Sequence, residues 1–580
     1  MEYGLNDIVE MKKQHPCGTN RWQITRMGAD IKIKCLKCDN NIMMPRREFN
    51  KKIKKIIETG DIFLGIEFGS TRIKAVLTDE NGEVLGTGIH DWENSFVDGI
   101  WTYPLEEILL GLSSCYTSIK SDIKEKYGVT IKQIKYMGIS AMMHGYMAFD
   151  KDMNLLAPFQ TWRNSNTEEA AKDLSESFKF NIPLRWTIAH LYQRILDKEE
   201  HVEKLNFVTT LSSYIHYMLT GEKNIGIGDA SGIFPIDSLA MDYDASMLDI
   251  FEEKIAEYKF PWKIREILPK VMPAGQRAGI LTKLGASLLD KDGDLQEGSI
   301  LCPPEGDAGT GMVATNSIKK GTGNMSAGTS MFAMLVLDKK LNDYYEEIDM
   351  VTTPDGYPVA MSHANNGTSD LNAWVGLFRE FSKLFGINIS DGELFEKLYT
   401  NSLNGSPDCG NLMSFGYFSG EGITKLNEGR PLFLRSPKSE FNLANFMRAH
   451  LYSSLTAVKV GLDILTEKEN VKIKKMMGHG GLFKTKGVGQ RYLSAAINAP
   501  VEVLDTASEG GAWGIALLAL YLIHADKYKL DEFLSEKIFD KNTGSEIMAD
   551  EKDVEGFKTF TQRYLNAVDI EKLSVEKFAE

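Results

Sequence analysis

The chain is poor in cysteine and has no long apolar run. Its six cysteines among 580 residues are too few for a disulfide scaffold. The longest apolar run, residues 512–523, is much shorter than the ~20 residues that a membrane-spanning helix needs, so it predicts a buried helix. The first residues, which include Glu2, Asn6 and Asp7, contain no apolar signal segment. We therefore expect a cytoplasmic protein with no membrane partner.

Charge is unevenly distributed along the chain. The net charge is −14, but residues 1–60 hold 13 Lys/Arg and 7 Asp/Glu and carry +6, which leaves −20 on the rest. A basic head on an acidic body predicts two modules with different partners. The acidic body is a poor candidate for nucleic-acid binding, whereas the head leaves that question open.

Short apolar strands alternate with helices over most of the chain, which predicts an α/β fold. The first cycle contains predicted strands at 62–67, 73–79, 84–90 and 134–141 and a helix at 104–126. A second cycle begins near Lys320 with a strand and a small-residue turn. Two such cycles predict two lobes that face each other across a cleft.

Each cycle carries a turn rich in Gly, Ser and Thr. The first lies within residues 65–71 (GIEFGST) and the second within residues 323–330 (GNMSAGTS). Glycine lets backbone N–H groups approach a phosphate closely, and the hydroxyls add donors. Glu67 ends the first strand and is a candidate Mg²⁺ ligand. An ordinary hairpin turn explains either motif alone, but the pair favours a clamp on a triphosphate.

Asp307 lies between small residues in the segment 305–311 (EGDAGTG), directly after an apolar stretch. Small neighbours leave room for a substrate, and a carboxylate in such a position can accept the proton of an attacking alcohol. Asp before Ala and Gly is also a common helix N-cap. The local sequence leaves both interpretations open.

Two further glycine turns and one histidine follow predicted strands. Residues 478–481 (GHGG) end one strand, and residues 508–512 (SEGGA) open the predicted buried helix. Turns at the carboxyl ends of strands are where α/β folds bind ligands, although tight packing explains glycine equally well. His144, in the stretch MMHG, is placed to bind a polyol or to serve a structural role. Trp162 and Trp186 are either a sugar surface or core residues.

The head contains a cluster of possible metal ligands. His15, Cys17, Cys35 and Cys38 could supply one imidazole and three thiolates to Zn²⁺. A redox-active or unliganded cysteine pair is the alternative interpretation, as is no special role. Residues 47–58 predict a basic helix, which would either contact nucleic acid or form a solvated face.

The motifs of the body occur in an order and spacing that resemble those of the FGGY carbohydrate kinases, over residues 61–530. The resemblance implies two actin-like (ribonuclease H-like) ATPase lobes around a cleft. It implies a sugar-binding N-terminal lobe at 61–314, a nucleotide-binding C-terminal lobe at 315–530 and a helical segment at 531–580. The β-rich head, residues 1–58, resembles a small bacterial family of unknown function.

The same resemblance implies ATP and Mg²⁺ as cofactors and gives roles to individual residues. Asp307 is the implied catalytic base. The implied nucleotide-binding residues are Glu67, Gly69, Ser70, Thr71, Gly328, Thr329, Ser330, Gly480, Gly481, Glu509, Gly510 and Gly511. The implied sugar-binding residues are Met143, His144, Gly145, Trp162 and Asp307. Asp229, in the stretch DASG, is similar to a substrate-side residue of xylulokinase-like members.

The chain departs from the family's usual pattern at three places. Glu67 replaces an Asp, the usual Trp-x-Asp-x-Arg is WRNSN at residues 162–166, and residues 482–486 are atypical. The expected activity is ATP-dependent phosphorylation of a ketopentose such as xylulose. Ribulose, glycerol or gluconate are alternative acceptors, and an actin-like ATP sensor or activator ATPase is an alternative class. The oligomeric state, a homodimer included, stays open.

Overall fold

The computed structural model describes residues 3–5, 7–58, 61–504, 510–540 and 544–578. The head folds as a five-stranded antiparallel sheet in the order β4-β3-β2-β1-β5 with one short helix. Its elements are β1 (Ile8–Met11), β2 (Arg21–Arg26), β3 (Asp30–Cys35), β4 (Asn41–Pro45), α1 (Arg46–Lys52) and β5 (Ile53–Glu58). The prediction of a small β-rich module is therefore confirmed.

The predicted helix over residues 47–58 is wrong beyond Lys52. The backbone becomes extended at Ile53, and residues 53–58 form β5, which pairs antiparallel with β1. Isoleucines dominate this segment, and β-branched residues favour strands. The open edge of β1 supplies the hydrogen-bond partners, which helical periodicity could not reveal.

The first half of the body contains one large sheet, with helices and smaller sheets around it. Its strands are β6 (Phe63–Phe68), β7 (Arg72–Thr78), β8 (Val84–Asp91), β9 (Ser95–Val97), β10 (Ile100–Thr102), β11 (Tyr136–Ala141), β12 (Met147–Phe149), β13 (Phe207–Thr209), β14 (Asn224–Gly226), β15 (Ile236–Asp237), β16 (Asp242–Tyr243), β17 (Lys270–Met272), β18 (Gly279–Ile280), β19 (Ile300–Leu301) and β20 (Glu305–Gly306). Its helices are α2 (Leu105–Tyr127), α3 (Glu168–Phe178), α4 (Thr187–Leu196), α5 (Leu211–Thr220), α6 (Ile227–Ala230), α7 (Ala245–Ile255), α8 (Ile264–Ile267), α9 (Lys283–Leu289) and α10 (Asp307–Ala314).

The second half contains a second large sheet. Its strands are β21 (Thr322–Ala327), β22 (Met331–Val336), β23 (Asp349–Thr352), β24 (Pro358–Ala364), β25 (Met413–Phe415), β26 (Leu432–Leu434), β27 (Lys475–Gly480), β28 (Val501–Leu504) and β29 (Gly544–Ile547). Its helices are α11 (Ser369–Leu384), α12 (Asp391–Ser402), α13 (Leu443–Asp463), α14 (Val488–Ile497), α15 (Gly510–Tyr521), α16 (Leu530–Phe533), α17 (Glu551–Asn566) and α18 (Val568–Lys577). The segment expected to be helical, 531–580, also contributes β29 to this sheet.

The two large sheets share one plan. In the first, the hairpin β6–β7 lies beside the parallel strand β11. In the second, the hairpin β21–β22 lies beside the parallel strand β27. Each predicted Gly/Ser/Thr turn is the tip of one of these hairpins, so the two turns occupy equivalent positions in the two halves.

Helix α15 packs against β6 and α10 through positions that tolerate only glycine. A Cβ on Gly65 of β6 would lie 2.1 Å from the carbonyl oxygen of Ala512. A Cβ on Gly514 of α15 would lie 2.0 Å from the carbonyl oxygen of Thr310. The predicted buried helix is confirmed, since α15 is buried from Gly511 onward. None of the described helices is long and apolar enough to span a membrane.

The head packs on the C-terminal end of α2. Tyr127 and Val129 pack against the apolar core of the head. The guanidinium of Arg46 donates to the carbonyl oxygen of Tyr127 at 3.3 Å, and the Gln23 amide donates to Glu80 at 3.0 Å. The head is therefore docked on the first lobe by apolar and polar contacts.

We expect Gly514→Ala to lower the free energy of unfolding by ~1–3 kcal/mol, because the new methyl group must displace the α10 backbone. The matched control is Gly376→Ala, inside α11, where an added Cβ meets no atom within 4 Å. That variant should gain up to ~1 kcal/mol from helix propensity. Urea unfolding of both variants measures the difference. Equal stabilisation by the two alanines would contradict the proposed close packing.

Candidate active site

Asp307 is the first residue of α10 and directly follows β20. Gly306, not Asp307, is the N-cap residue, and no side-chain cap is present there. The backbone N–H of Met143 donates to Asp307 Oδ1 at 3.3 Å. The Asp307 side chain is exposed to solvent, yet the surrounding protein desolvates it and raises its pKa to about 6. Such a carboxylate can both meet a substrate and accept a proton near neutral pH.

Glu67, at the end of β6, is the nearest acidic partner along this edge. The backbone N–H of Ala512, in the first turn of α15, donates to Glu67 Oε2 at 3.2 Å. Burial, followed by the negative charge of Asp307, raises the pKa of Glu67 to about 7. A Cβ on Gly511 would lie 2.1 Å from Glu67 Oε1, so glycine is required at that position. Gly510, at the start of α15, has a φ of +63° and also approaches Glu67.

Two buried acids lie behind Asp307. Asp229 was expected on the substrate side only from the resemblance, and Glu305 was not predicted as a site residue. The hydroxyls of Thr210 and Ser212 donate to Asp229 Oδ2, the first at 2.6 Å. Asp229 Oδ1 has no hydrogen-bond partner in the described part of the chain, and burial raises the pKa of Asp229 to about 7. Glu305 accepts the backbone N–H groups of Gly228 and Asp229 and has a pKa of about 8, chiefly through burial.

The sequence contained a signal for both acids. Asp229 lies in the DASG segment, and Glu305 stands two residues before Asp307. Only the fold shows that the two residues lie together, because they come from α6 and β20 and the backbone N–H of Asp229 donates to Glu305 Oε2 at 2.9 Å. A Cβ on Gly306 would lie 3.1 Å from Asp229 Oδ1 and 2.2 Å from Met143 Cγ. Glycine before Asp307 therefore lets these groups pack closely.

The first hairpin turn is held by two stacked aromatic rings. The indole of Trp92 donates to the carbonyl oxygen of Gly69 at 2.7 Å, and the Tyr103 hydroxyl donates to that of Ser70 at 2.5 Å. The two ring centroids are 4.1 Å apart. The backbone N–H of Trp92 also donates to the carbonyl of Thr71 at 3.2 Å. The turn that carries the predicted phosphate ligands is thus rigidly supported.

The second hairpin turn meets the GHGG turn at the edge of the other sheet. Ala327 of β21 is paired with Gly480 of β27, and a Cβ on Gly480 would lie 2.4 Å from the Ala327 carbonyl oxygen. The Gly480 φ of 98° also favours glycine. Thr368 donates through its N–H and its hydroxyl to the carbonyl of Gly328, each at 3.0 Å. These contacts fix the turn next to Gly480.

The remaining residues predicted to bind the nucleotide are in or next to the second hairpin turn and the GHGG turn, apart from Glu509. The backbone carbonyl of Thr329 accepts the N–H of Gly367 at 2.7 Å. The backbone carbonyl of Ser330 accepts the N–H of Gly328 at 3.0 Å. Gly481 opens a short 3₁₀ turn after β27 and is exposed. Glu509 lies outside the described residues.

The MMHG stretch lies directly after β11 and begins beside Asp307. His144 and Gly145 both have positive φ values, 68° and 90°. The Thr187 hydroxyl donates to the carbonyl of Gly145 at 2.6 Å, which fixes this turn. His144 is buried and its ring stacks on Trp186 at 6.2 Å between centroids. Burial, followed by the charge of Arg185, keeps the pKa of His144 well below its usual value, so the ring is neutral.

Trp162 connects this side of the site to the first hairpin turn. Its indole N–H donates to the Ser70 hydroxyl at 3.2 Å, and the side chain is 40% exposed. Asn164, which replaces the family's usual Asp, is buried. Its amide accepts the N–H of Trp101 at 2.9 Å and donates to the carbonyl of Trp101 at 2.8 Å. The substitution thus places a neutral amide in a structural clamp.

The four candidate metal ligands of the head come together in the fold. The ligand atoms of His15, Cys17, Cys35 and Cys38 all lie within 4.8 Å of one another. They form a site separate from the acidic cluster around Asp307, since they belong to the loops of the head sheet.

Comparisons with known proteins divide the chain in the same way. The N-terminal domain of the FGGY family of carbohydrate kinases matches residues 62–290, and its C-terminal domain matches residues 323–523. The family described as bacterial protein of unknown function (DUF951) matches residues 3–57. Over 56 residues, the head is 62% identical to the uncharacterized protein YyzM of Bacillus subtilis. The aligned residues are 10% of this chain and 82% of that protein.

The body has relatives of similar length. A xylulose kinase of Haemophilus influenzae is 22% identical over 527 residues, which cover 87% of this chain and 99% of that protein. A gluconokinase of Bacillus subtilis is 22% identical over 496 residues, which cover 79% of this chain and 87% of that protein. The structure of ligand-bound xylulose kinase from Lactobacillus acidophilus aligns with a TM-score of 0.72 at 17% identity, covering 90% of this chain and all of that one.

This structural likeness confirms the predicted fold of two lobes, and the family matches confirm that the body is a sugar kinase. The predicted resemblance of the head is confirmed as well. The chain therefore belongs to the FGGY family of carbohydrate kinases and carries a DUF951 module at its N-terminus.

Proposed function

We propose that the chain transfers the γ-phosphoryl group of ATP to a hydroxyl of a neutral ketopentose such as xylulose, with Asp307 as the base. The observation that carries the proposal is the state of Asp307, which is solvent-exposed and yet desolvated enough to raise its pKa to about 6. A base with such a pKa is largely ionised at neutral pH and still has useful proton affinity. Because ATP is the donor, we propose the cytoplasm as its compartment.

In the proposed reaction, the sugar hydroxyl gives its proton to an Asp307 carboxylate oxygen. The hydroxyl oxygen forms a bond to the γ-phosphorus while the bond from that phosphorus to the bridging oxygen of ADP breaks. Met143 N–H and the backbone N–H of Ala308 hold the ionised carboxylate in place. Phosphoryl transfer depends mainly on positioning and charge stabilisation, so this rigid support matters as much as basicity.

The residues present fit ATP and Mg²⁺. Glu67 and Asp307 are oxygen ligands of the kind that Mg²⁺ prefers, and the repulsion between them would be relieved by a cation. Bound Mg²⁺ would supply neutralisation of phosphate charge. The exposed backbone at Gly480 and Gly481 leaves room for a nucleotide, and the adjacent His479 Nε2 is buried without a partner in the described residues. Gly69–Thr71 and Gly328–Ser330 would bind the phosphates.

The charge around Asp307 favours a neutral acceptor over an acidic one. Asp307 itself is largely ionised at neutral pH, and Glu67, with a pKa of about 7, is partly ionised, whereas Glu305, with a pKa of about 8, stays mostly protonated. The nearest cation on the His144 side, Arg185, is already paired with Asp349. A gluconate carboxylate would therefore meet repulsion, whereas a ketopentose offers only hydroxyls and a carbonyl. A relative named xylulose kinase and one named gluconokinase are both 22% identical to the chain, so identity alone does not choose the acceptor and we base the choice on charge.

We expect Asp307→Asn to reduce phosphotransfer by ~10²-fold or more, as removal of a general base does, while ATP still binds. At neutral pH the variant should also melt higher than the parent, because the raised pKa of Asp307 shows that the fold disfavours its charge. The control is Asp355→Asn, a half-buried acid whose pKa desolvation also raises to about 6 and which accepts a hydrogen bond from the Thr353 hydroxyl. Near-normal turnover of the Asp307 variant would refute the assignment.

The rate should fall as the pH drops through about 6, because protonated Asp307 cannot accept the sugar proton. Glu67, with a pKa of about 7, adds to the loss in the same direction, since a cation ligand must be ionised. Single-turnover rates across a pH series check this. A rate that stays constant below pH 6 would exclude Asp307 as the base.

A coupled ADP-release assay with xylulose, ribulose, glycerol and gluconate tests the acceptor. We expect the highest kcat/KM with xylulose and the lowest with gluconate. Preference for gluconate would overturn the electrostatic argument and leave the kinase assignment intact. Sugar-independent ATP hydrolysis, or ATP binding without turnover on any sugar, would instead support the activator or sensor alternatives.

A further inference from the structure

The four candidate ligands of the head lie on two loops at one end of its sheet. His15 and Cys17 belong to the β1–β2 loop, whereas Cys35 ends β3 and Cys38 lies in the β3–β4 turn. Since β2 and β3 are neighbouring antiparallel strands, these loops meet at one edge. The ligands therefore bring together segments that are about twenty residues apart in sequence.

The spacing of the ligand atoms suits one tetrahedral ion. Cys17 Sγ and Cys35 Sγ are 3.5 Å apart, and His15 Nδ1 lies 3.0, 3.9 and 3.6 Å from the sulfurs of Cys17, Cys35 and Cys38. Zinc–sulfur bonds of ~2.3 Å and zinc–nitrogen bonds of ~2.0 Å in a tetrahedron place ligand atoms ~3.5–3.8 Å apart. All three thiols converge on the same nitrogen of His15.

Backbone and side-chain groups next to the four candidate ligands form hydrogen bonds with them that would stabilise thiolates. The backbone N–H groups of Lys37 and Cys38 donate to the Cys35 sulfur, and that of Asn40 donates to the Cys38 sulfur. The side-chain amide of Asn40 lies 3.2 Å from His15 Nε2. The atom at this distance is the amide nitrogen Nδ2. A 180° rotation of the amide would bring its oxygen to the ring, where it would accept the Nε2 proton and leave Nδ1 free for a metal.

The head also needs an additional source of stability. Its described core consists of Val9, Met11, Trp22, Ile24, Met27, Ile31, Ile33, Cys35, Met44, Phe49 and Ile53. A single hydrophobic core in fewer than ~70 residues rarely supplies more than ~3–5 kcal/mol, and small domains often add a metal or disulfides. Docking on α2 supplies part of that stability, and an ion between the two loops would supply the rest.

We infer that His15 Nδ1 and the thiolates of Cys17, Cys35 and Cys38 bind one structural Zn²⁺ ion, which joins the β1–β2 loop to the β3–β4 turn. Three thiolates and one imidazole with no open position are typical of structural zinc sites. The short separations leave room for a single ion. This inference does not depend on the kinase chemistry of the body.

Metal analysis of the full chain, purified without chelators under reducing conditions, tests the inference. We expect one zinc per chain, less than half of that in Cys38→Ser, and full retention in Cys302→Ala, whose buried cysteine lies in the first lobe. Replacement by Co²⁺ should give the visible bands of a tetrahedral site with thiolate-to-cobalt charge transfer. Phosphotransfer of Cys38→Ser should match that of the parent if the body stays folded.

A second variant separates metal binding from misfolding. Asn40→Ala leaves all four ligands in place but removes the partner of His15 Nε2, so we expect a ~10–100-fold weaker zinc affinity in competition with a chromophoric chelator. Iron in place of zinc, metal-free protein from zinc-supplied cells, or a Cys17–Cys35 disulfide in reduced preparations would each overturn the inference.

Discussion

The close approach of α15 to β6 and α10 is the contact on which the site depends. It is possible only because Gly65, Gly511 and Gly514 leave no Cβ between the backbones. The contact crosses the chain's halves, since α15 lies between two strands of the second sheet in sequence, β28 and β29, but packs on strands of the first. It also brings the N–H of Ala512 to Glu67 and so positions that carboxylate. Without this packing, Glu67 would lose the backbone donor that positions its carboxylate.

The fold disfavours the ionised forms of the four carboxyls in the acidic cluster. Burial raises the pKa of Glu67, Asp229, Glu305 and Asp307, so each carboxyl favours the folded state more when it is protonated. Stability from these groups is present at low pH and is lost as the pH rises through about 6 to 8. Concentrated charge of this kind is usual where a protein binds cations or moves protons. The acidic cluster therefore lowers the folding stability near neutral pH, and the same carboxyls are the groups proposed to act in the reaction.

Much of the architecture could be predicted from local patterns. The two hairpins, α2 and the buried α15 follow from apolar periodicity and glycine turns. Small neighbours made Asp307 a candidate, but only the resemblance gave it the role of a base. The strand β5 was missed because its isoleucines also satisfy a helical period, and only the edge of β1 decides between them. Glu305 was missed as a site residue, and Asp229 was indicated only by the resemblance, because their proximity depends on how α6 and β20 pack, which no local pattern records.

The clamp made by Asn164 has a consequence for how the enzyme responds to its medium. The amide joins its loop to Trp101 through neutral hydrogen bonds, where the family pattern would use charged partners. Neutral hydrogen bonds are not screened by dissolved ions, whereas exposed ion pairs weaken as ionic strength rises. The contact between this loop and Trp101 should therefore be insensitive to salt.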